Sequence, residues 1–136
     1  PTLFQTSIHP SAVQQALIGR QHPVGEFFPL TGRAHLVAQA FHTALLSPAP
    51  RVLLCGGEER GTWLLEQRAA SDRTFAFALA LSREAAGALA RVSLERVDAN
   101  VPATAFTLAQ FCDVLRLRQA VDVVAAPGVR LGFAWA

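Results

Sequence analysis

The sequence predicts a single mixed domain over residues 1–136, either α/β or α+β, with a mixed sheet of about four to six strands and helices packed on at least one face. Three observations carry this expectation. Apolar runs of strand type recur at Arg51 to Cys55, Thr74 to Leu81, Val92 to Leu94 and Val121 to Trp135. Apolar stripes of helical period run from Leu36 to Leu45 and from Leu108 to Leu115. A chain of 136 residues is long enough to bury one core.

Taken in order, the first helix covers Pro10 to Ile18: proline suits an opening turn, Val13, Ala16 and Leu17 share a face, and Gly19 ends it. Gln21 to Leu30 holds two prolines, a glycine and the pair Phe27 and Phe28, an extended connection with room for a brief strand. Thr31 caps a second helix, whose stripe is Leu36, Val37, Ala40, Phe41, Ala44 and Leu45 and which stops at Ser47 and Pro48.

Arg51 to Cys55 lies between Pro50 and two glycines and has the continuous apolar character of an inner strand. Glu58 to Ala70 leans towards a helix carrying Trp63, Leu64 and Leu65, with the second arm of a hairpin over Gly61 to Arg68 left open. Thr74 to Leu81 sets Phe75, Phe77, Leu79 and Leu81 on one side and Ala76, Ala78 and Ala80 on the other. Both sides are apolar, so this strand is expected to be covered twice, with something flat against the alanine methyls.

Ser82 caps a further helix from Arg83 through Leu89, in which Gly87 costs roughly 1 kcal/mol relative to alanine. The alternation of Val92 and Leu94 with Arg91, Ser93 and Glu95 returns the chain to a strand. Thr107 and Gln110 have capping-box spacing ahead of Leu108, Phe111, Cys112 and Leu115, in a helix ending near Ala120. Val121 to Ala125 and Val129 to Trp135 form a hairpin about Pro127 and Gly128.

Composition narrows the function classes. The chain is 51% hydrophobic and 16% charged, against about 25% charged for an ordinary globular domain. No apolar run approaches the ~20 residues of a membrane helix. The opening PTLFQTSIHP has no basic stretch ahead of an apolar one, and Cys55 and Cys112 each sit alone in an apolar segment, so a cytoplasmic protein with two buried thiols is expected. All 12 cations are arginine and tyrosine is absent, so a net charge of +2 yields a pI of 9.1 without strong basicity. Without lysine, a Schiff base, a serine–lysine dyad and a P-loop lysine are excluded.

The segment RVLLCGGEERGT, Arg51 to Thr62, is the most suggestive for chemistry. Gly56 and Gly61 have P-loop separation, yet Thr62 follows Gly61 directly and Glu58 and Glu59 would repel a polyphosphate. A second reading puts Cys55 at a strand end, with a loop to Arg60 and then a helix whose amides stabilise a thiolate. That arrangement resembles the active-site loop of rhodanese-like sulfurtransferases, and HPVGEFFPL from His22 to Leu30 is loosely similar in order to the same family. The resemblance spans about residues 22–70 and implies a persulfide carried on Cys55 with Arg60 closing the loop. A buried cysteine ahead of a glycine turn is the plainer alternative.

His35 and His42 share a side of the second helix, but seven residues span about 10.5 Å along its axis, too far for one ion. No metal or cofactor is expected. Arg116 and Arg118 diverge on a helix, and the other arginines are interleaved with acids, as Arg91 with Glu95, so nucleic acid is not indicated. Thr31, Gly32 and Arg33 at a helix start form a candidate anion site. Asp72, Asp98, Asp113 and Asp122 share no short motif with histidine and serine.

The charge deficit, the doubly apolar strand and the ending GFAWA together predict an interaction or regulatory subunit that buries apolar surface against copies of itself or another protein. Trp63, Phe133 and Trp135 are its candidate contact residues, because aromatics dominate interface energetics. A thiol enzyme using Cys55 and Arg60 and a nucleic-acid-binding module are the alternatives.

Overall fold

The computed structural model describes residues 12–23, 25–32, 34–61, 65–68 and 71–136. The chain is α+β and divides into two compact units, Pro1–Thr31 and Gly32–Ala136. In the first, helix α1 (Ala12–Gly19) is followed by a connector without strand structure among its described residues. Pro10, expected to open α1, lies outside the described residues.

The second unit runs α2 (Leu36–Leu46), β1 (Arg51–Glu58), β2 (Phe75–Ser82), β3 (Ala90–Arg96), α3 (Leu108–Leu117), β4 (Val121–Ala126) and β5 (Val129–Trp135). Instead of one mixed sheet, the strands form two antiparallel ones: a ribbon of β1 and β2, and a three-stranded sheet in the order β3-β5-β4.

Helix α2 begins at Leu36 and not near Thr31. His35 takes the N-cap position with a left-handed φ of 61°, and its Nδ1 donates to the Ala125 carbonyl at 2.9 Å. A ring tied to β4 thus marks where the helix starts. At the other end, the Ser47 amide caps Thr43, and Arg83 donates from Nη2 to the carbonyls of Leu45 (3.2 Å) and Ser47 (3.0 Å). These carbonyls belong to the group that a helix terminus leaves without internal partners.

Arg83 is engaged there because the helix expected over Arg83 to Leu89 does not form. The segment is exposed throughout, turns at Ala86 and Gly87 with a glycine φ of 74°, and has no apolar stripe to bury. The capping box of α3 is present in both directions, Gln110 N–H to Thr107 Oγ1 at 3.2 Å and Thr107 N–H to Gln110 Oε1 at 2.8 Å. Helix α3 ends at Leu117, where Arg118 adopts φ 50°. The C-terminal hairpin forms as expected; Gly128 has φ 74° in its turn, and the register shifts between Val124 and Ala126.

The core is aromatic at its centre. Phe41 of α2, Phe111 of α3 and Phe133 of β5 are buried. Phe111 meets Phe41 and Phe77 at 5.4 Å each, Phe133 at 5.8 Å and Phe106 at 6.2 Å, all edge to face, the geometry favoured by the ring quadrupoles. Phe77 belongs to the ribbon and Phe133 to the three-stranded sheet, so Phe111 joins the two. Val37, Ala38, Val114, Ala125 and Leu131 complete the buried set.

Ion pairs centred on Asp113 and Asp122 lie at the surface of this unit. Arg73 holds Asp113 at 2.9 Å through both carboxylate oxygens, Arg116 adds a bond of 3.4 Å, and Arg130 holds Asp122 at 2.6 Å. The guanidinium donors lower the carboxyl pKa of both aspartates below the ordinary value. A carboxyl depressed in the folded state stabilises above its unfolded pKa and loses that contribution as pH falls through its folded one. Urea midpoints are therefore expected to drop on the acid side of pH 4, and Asp113→Asn is expected to shrink that drop. An unchanged acid dependence in the variant counts against the pairing.

Candidate interaction surface

The ribbon places its residues on two unlike sides. Towards the helices, Val52, Leu54, Gly56 and Glu58 of β1 lie opposite Leu81, Leu79, Phe77 and Phe75 of β2. Away from them, Arg51, Leu53, Cys55 and Gly57 lie opposite Ser82, Ala80, Ala78 and Ala76. On this outer side Leu53 is 56% exposed, and Ala76, Ala78, Ala80 and Gly57 are exposed as well.

Two expectations are corrected here. Arg51 to Cys55 is not an inner strand, because in a two-stranded ribbon each strand is an edge. Thr74 to Leu81 is not covered on both sides, because helices meet only the phenylalanine and leucine side. The alanine strip is flat and apolar, with Arg51 at one corner.

The glycine pair in β1 belongs to the ribbon's packing and does not form a phosphate turn. A Cβ on Gly56 would lie 2.5 Å from Cζ of Phe77, so the missing side chain is what lets that ring lie across β1. A Cβ on Gly57 would lie 2.5 Å from the Phe75 carbonyl oxygen.

Cys55 accordingly sits in the middle of β1, three residues before its end, and not at a strand terminus. Partial burial raises its thiol pKa, the opposite of what a reactive thiolate needs. Arg60 follows the strand, its backbone amide bonded to Thr74 Oγ1 at 3.0 Å, while Ser71 N–H donates to Glu58 Oε2 at 2.8 Å. The helix expected after this loop is described only at Leu65 and Glu66, closed by a bond from Leu65 N–H to the Gly61 carbonyl. The second arm of the hairpin is β2, not Gly61 to Arg68.

The predicted contact residues separate. Phe133 is 5% exposed and packs in the core of the chain. Trp135 is half-buried and held within the chain: its Nε1 donates to the Gln119 carbonyl at 2.9 Å and the Arg118 guanidinium lies 5.8 Å from its ring. Trp63 lies outside the described residues. Of the candidate anion site, Arg33 also lies outside them, while Thr31 and Gly32 precede the first turn of α2 by more than three residues.

The outward side of the three-stranded sheet is polar. Ser93, Glu95, Asp122, Arg130 and Gly132 line a shallow depression of about 360 Å³, in which Arg130 is neutralised by Asp122. Gly132 lies close beneath Ser93: a Cβ there would lie 2.6 Å from Ser93 Oγ, so that hydroxyl would have to turn away.

Among the described residues no group of three metal-ligating side chains gathers, and His35 is committed to a backbone carbonyl. Arg73, Arg116 and Arg130 pair with aspartates, Arg83 donates to backbone carbonyls and the Arg118 guanidinium lies over Trp135. No helix among the described residues is long and apolar enough to cross a membrane.

Sequence reasoning did not find the exposed Leu53 or the fit of Gly56 to Phe77. The alanine alternation in β2 was the signal for the face; the glycine fit depends on strand register, which no local pattern reveals. Comparison with family models, with curated proteins and with solved structures returns no match for this chain.

Proposed function

We propose that this chain is a non-catalytic interaction or regulatory subunit, and that it buries the outer side of the β1–β2 ribbon against copies of itself or a different protein. The observation that carries this reading is the exposed row of Leu53, Ala76, Ala78 and Ala80, a flat row without a charged residue. Small side chains suit close approach by another flat surface, and contiguous exposed apolar area marks interaction sites. In the first unit, Phe28 at 59% and Ile18 at 65% add further exposed apolar area. The free thiols Cys55 and Cys112 are consistent with a reducing, cytoplasmic setting.

The test is sedimentation of the purified chain and of the chain isolated gently from cells, each beside Ala78→Glu. A particle heavier than one chain is expected, falling to single-chain mass in the variant with its unfolding midpoint unchanged, since Ala78 is exposed. A single-chain particle in both preparations overturns the reading.

A further inference from the structure

We propose that two copies of this chain join edge to edge through β1, antiparallel about a two-fold axis at Cys55, to make a four-stranded sheet in the order β2-β1-β1-β2. This rests on the interaction reading above but uses a different part of the ribbon, its backbone edge.

Among the described residues, β2 is the only backbone partner of β1, so one side of an eight-residue strand presents unpaired N–H and C=O groups. Natural edges are normally protected by proline, lysine, a bulge or shortness. β1 has neither proline nor lysine, and its register to β2 is continuous from Arg51 to Glu58. A two-stranded ribbon is also the least self-sufficient sheet, and pairing would supply about eight further backbone hydrogen bonds.

The sequence of β1 selects both the occupant and the register. RVLLCGGEE, Arg51 to Glu59, is antisymmetric about Cys55 in size and in charge. Turned on that residue, Leu54 lies opposite Gly56 of the copy, Leu53 opposite Gly57, Val52 opposite Glu58 and Arg51 opposite Glu59. On the outer side the bulk of Leu53 meets the space over Gly57, while Gly56 keeps its Phe77 ring, and opposite charges meet at both ends. Arg51 and Glu59 are exposed and make no ion pair within the chain among the described residues, and Glu58 is turned to the Ser71 amide. Each pair lies on a common side of the sheet, as antiparallel pairing demands. The β2 edge has no such complementarity: the same operation about Ala78 sets Arg73 against Arg83 and offers no pairing of large with small.

Residues directly opposite in an antiparallel pair have Cα atoms about 4.5–5.5 Å apart, inside the range a disulfide spans. The native Cys55 therefore reports the register. The experiment combines sedimentation with diamide treatment, in which diamide accepts the two electrons and two protons that leave a pair of thiols. A two-chain particle is expected, with a reducible two-chain band that Cys55→Ser abolishes while Cys112 is retained. Arg51→Glu and Glu59→Arg, each placing like charges opposite at both ends, are each expected to weaken pairing about tenfold, and the two together to restore most of it. A two-chain particle without the Cys55-dependent band, or without recovery in the double variant, overturns pairing through β1 and leaves the outer-side reading standing. A single-chain particle at all concentrations overturns self-pairing, and the Ala78→Glu comparison in the gently isolated protein then decides the interaction reading.

Discussion

Phe111→Ala is expected to cost about 3–5 kcal/mol, the range for truncating a buried phenylalanine. The side chain is 1% exposed and has four aromatic neighbours, each edge-to-face pair contributing roughly 0.5–1.5 kcal/mol beyond burial. Its position matters as much as its area. Phe111 touches Phe77 on one sheet and Phe133 on the other, whereas the two sheets share no strand pairing. Against a net stability of about 5–15 kcal/mol for a domain, the loss should lower the thermal midpoint by roughly 10–20 °C. Calorimetry or thermal circular dichroism measures this. A shift of less than a few degrees would mean that the rings are not packed as described.

Gly56→Val is expected to destabilise by about 1–3 kcal/mol, the cost of overfilling a packed site. The sign is the informative part, because valine is a better strand former than glycine and would stabilise an ordinary strand position. Here the added Cβ falls 2.5 Å from Cζ and 2.9 Å from Cε1 of Phe77, and that ring is already set against Phe111. Phe77→Leu in the same background should recover part of the loss, so the pair is expected to couple in a double-mutant cycle read by urea denaturation. Additive single effects, or a stabilised single variant, would show that Phe77 does not lie across β1.

Where the chain carries its own local chemistry, the sequence was legible. Thr107 and Gln110 announced α3, Pro127 and Gly128 announced the last hairpin, and Ser47 with Pro48 announced the end of α2, because caps and turns act over a few residues. The misreadings needed knowledge of distant partners. Arg51 to Cys55 looked like an inner strand because apolar runs are usually covered on both sides. Thr31 looked like a cap, but a contact across 90 residues, His35 to Ala125, starts the helix later. Gly56 and Gly57 read as a turn after the strand, whereas pairing puts them inside β1, opposite Phe77 and Ala76. Of the candidate contact residues, Phe133 went to the core for the same reason: an aromatic in a strand reads alike on either side of the sheet.

The order of elements along the chain adds a consequence for synthesis. The ribbon is complete at Ser82, whereas the helix that covers its phenylalanine side ends at Leu117. At translation rates of about 5–20 residues per second, roughly 2–7 s separate the two. Through that interval Phe75, Phe77, Leu79 and Leu81 emerge on a strand whose covering partner, Phe111, has yet to be made. The nascent ribbon is then apolar on both sides and open along both edges, so the ribosome-bound chain passes through a stage more prone to association than the finished molecule.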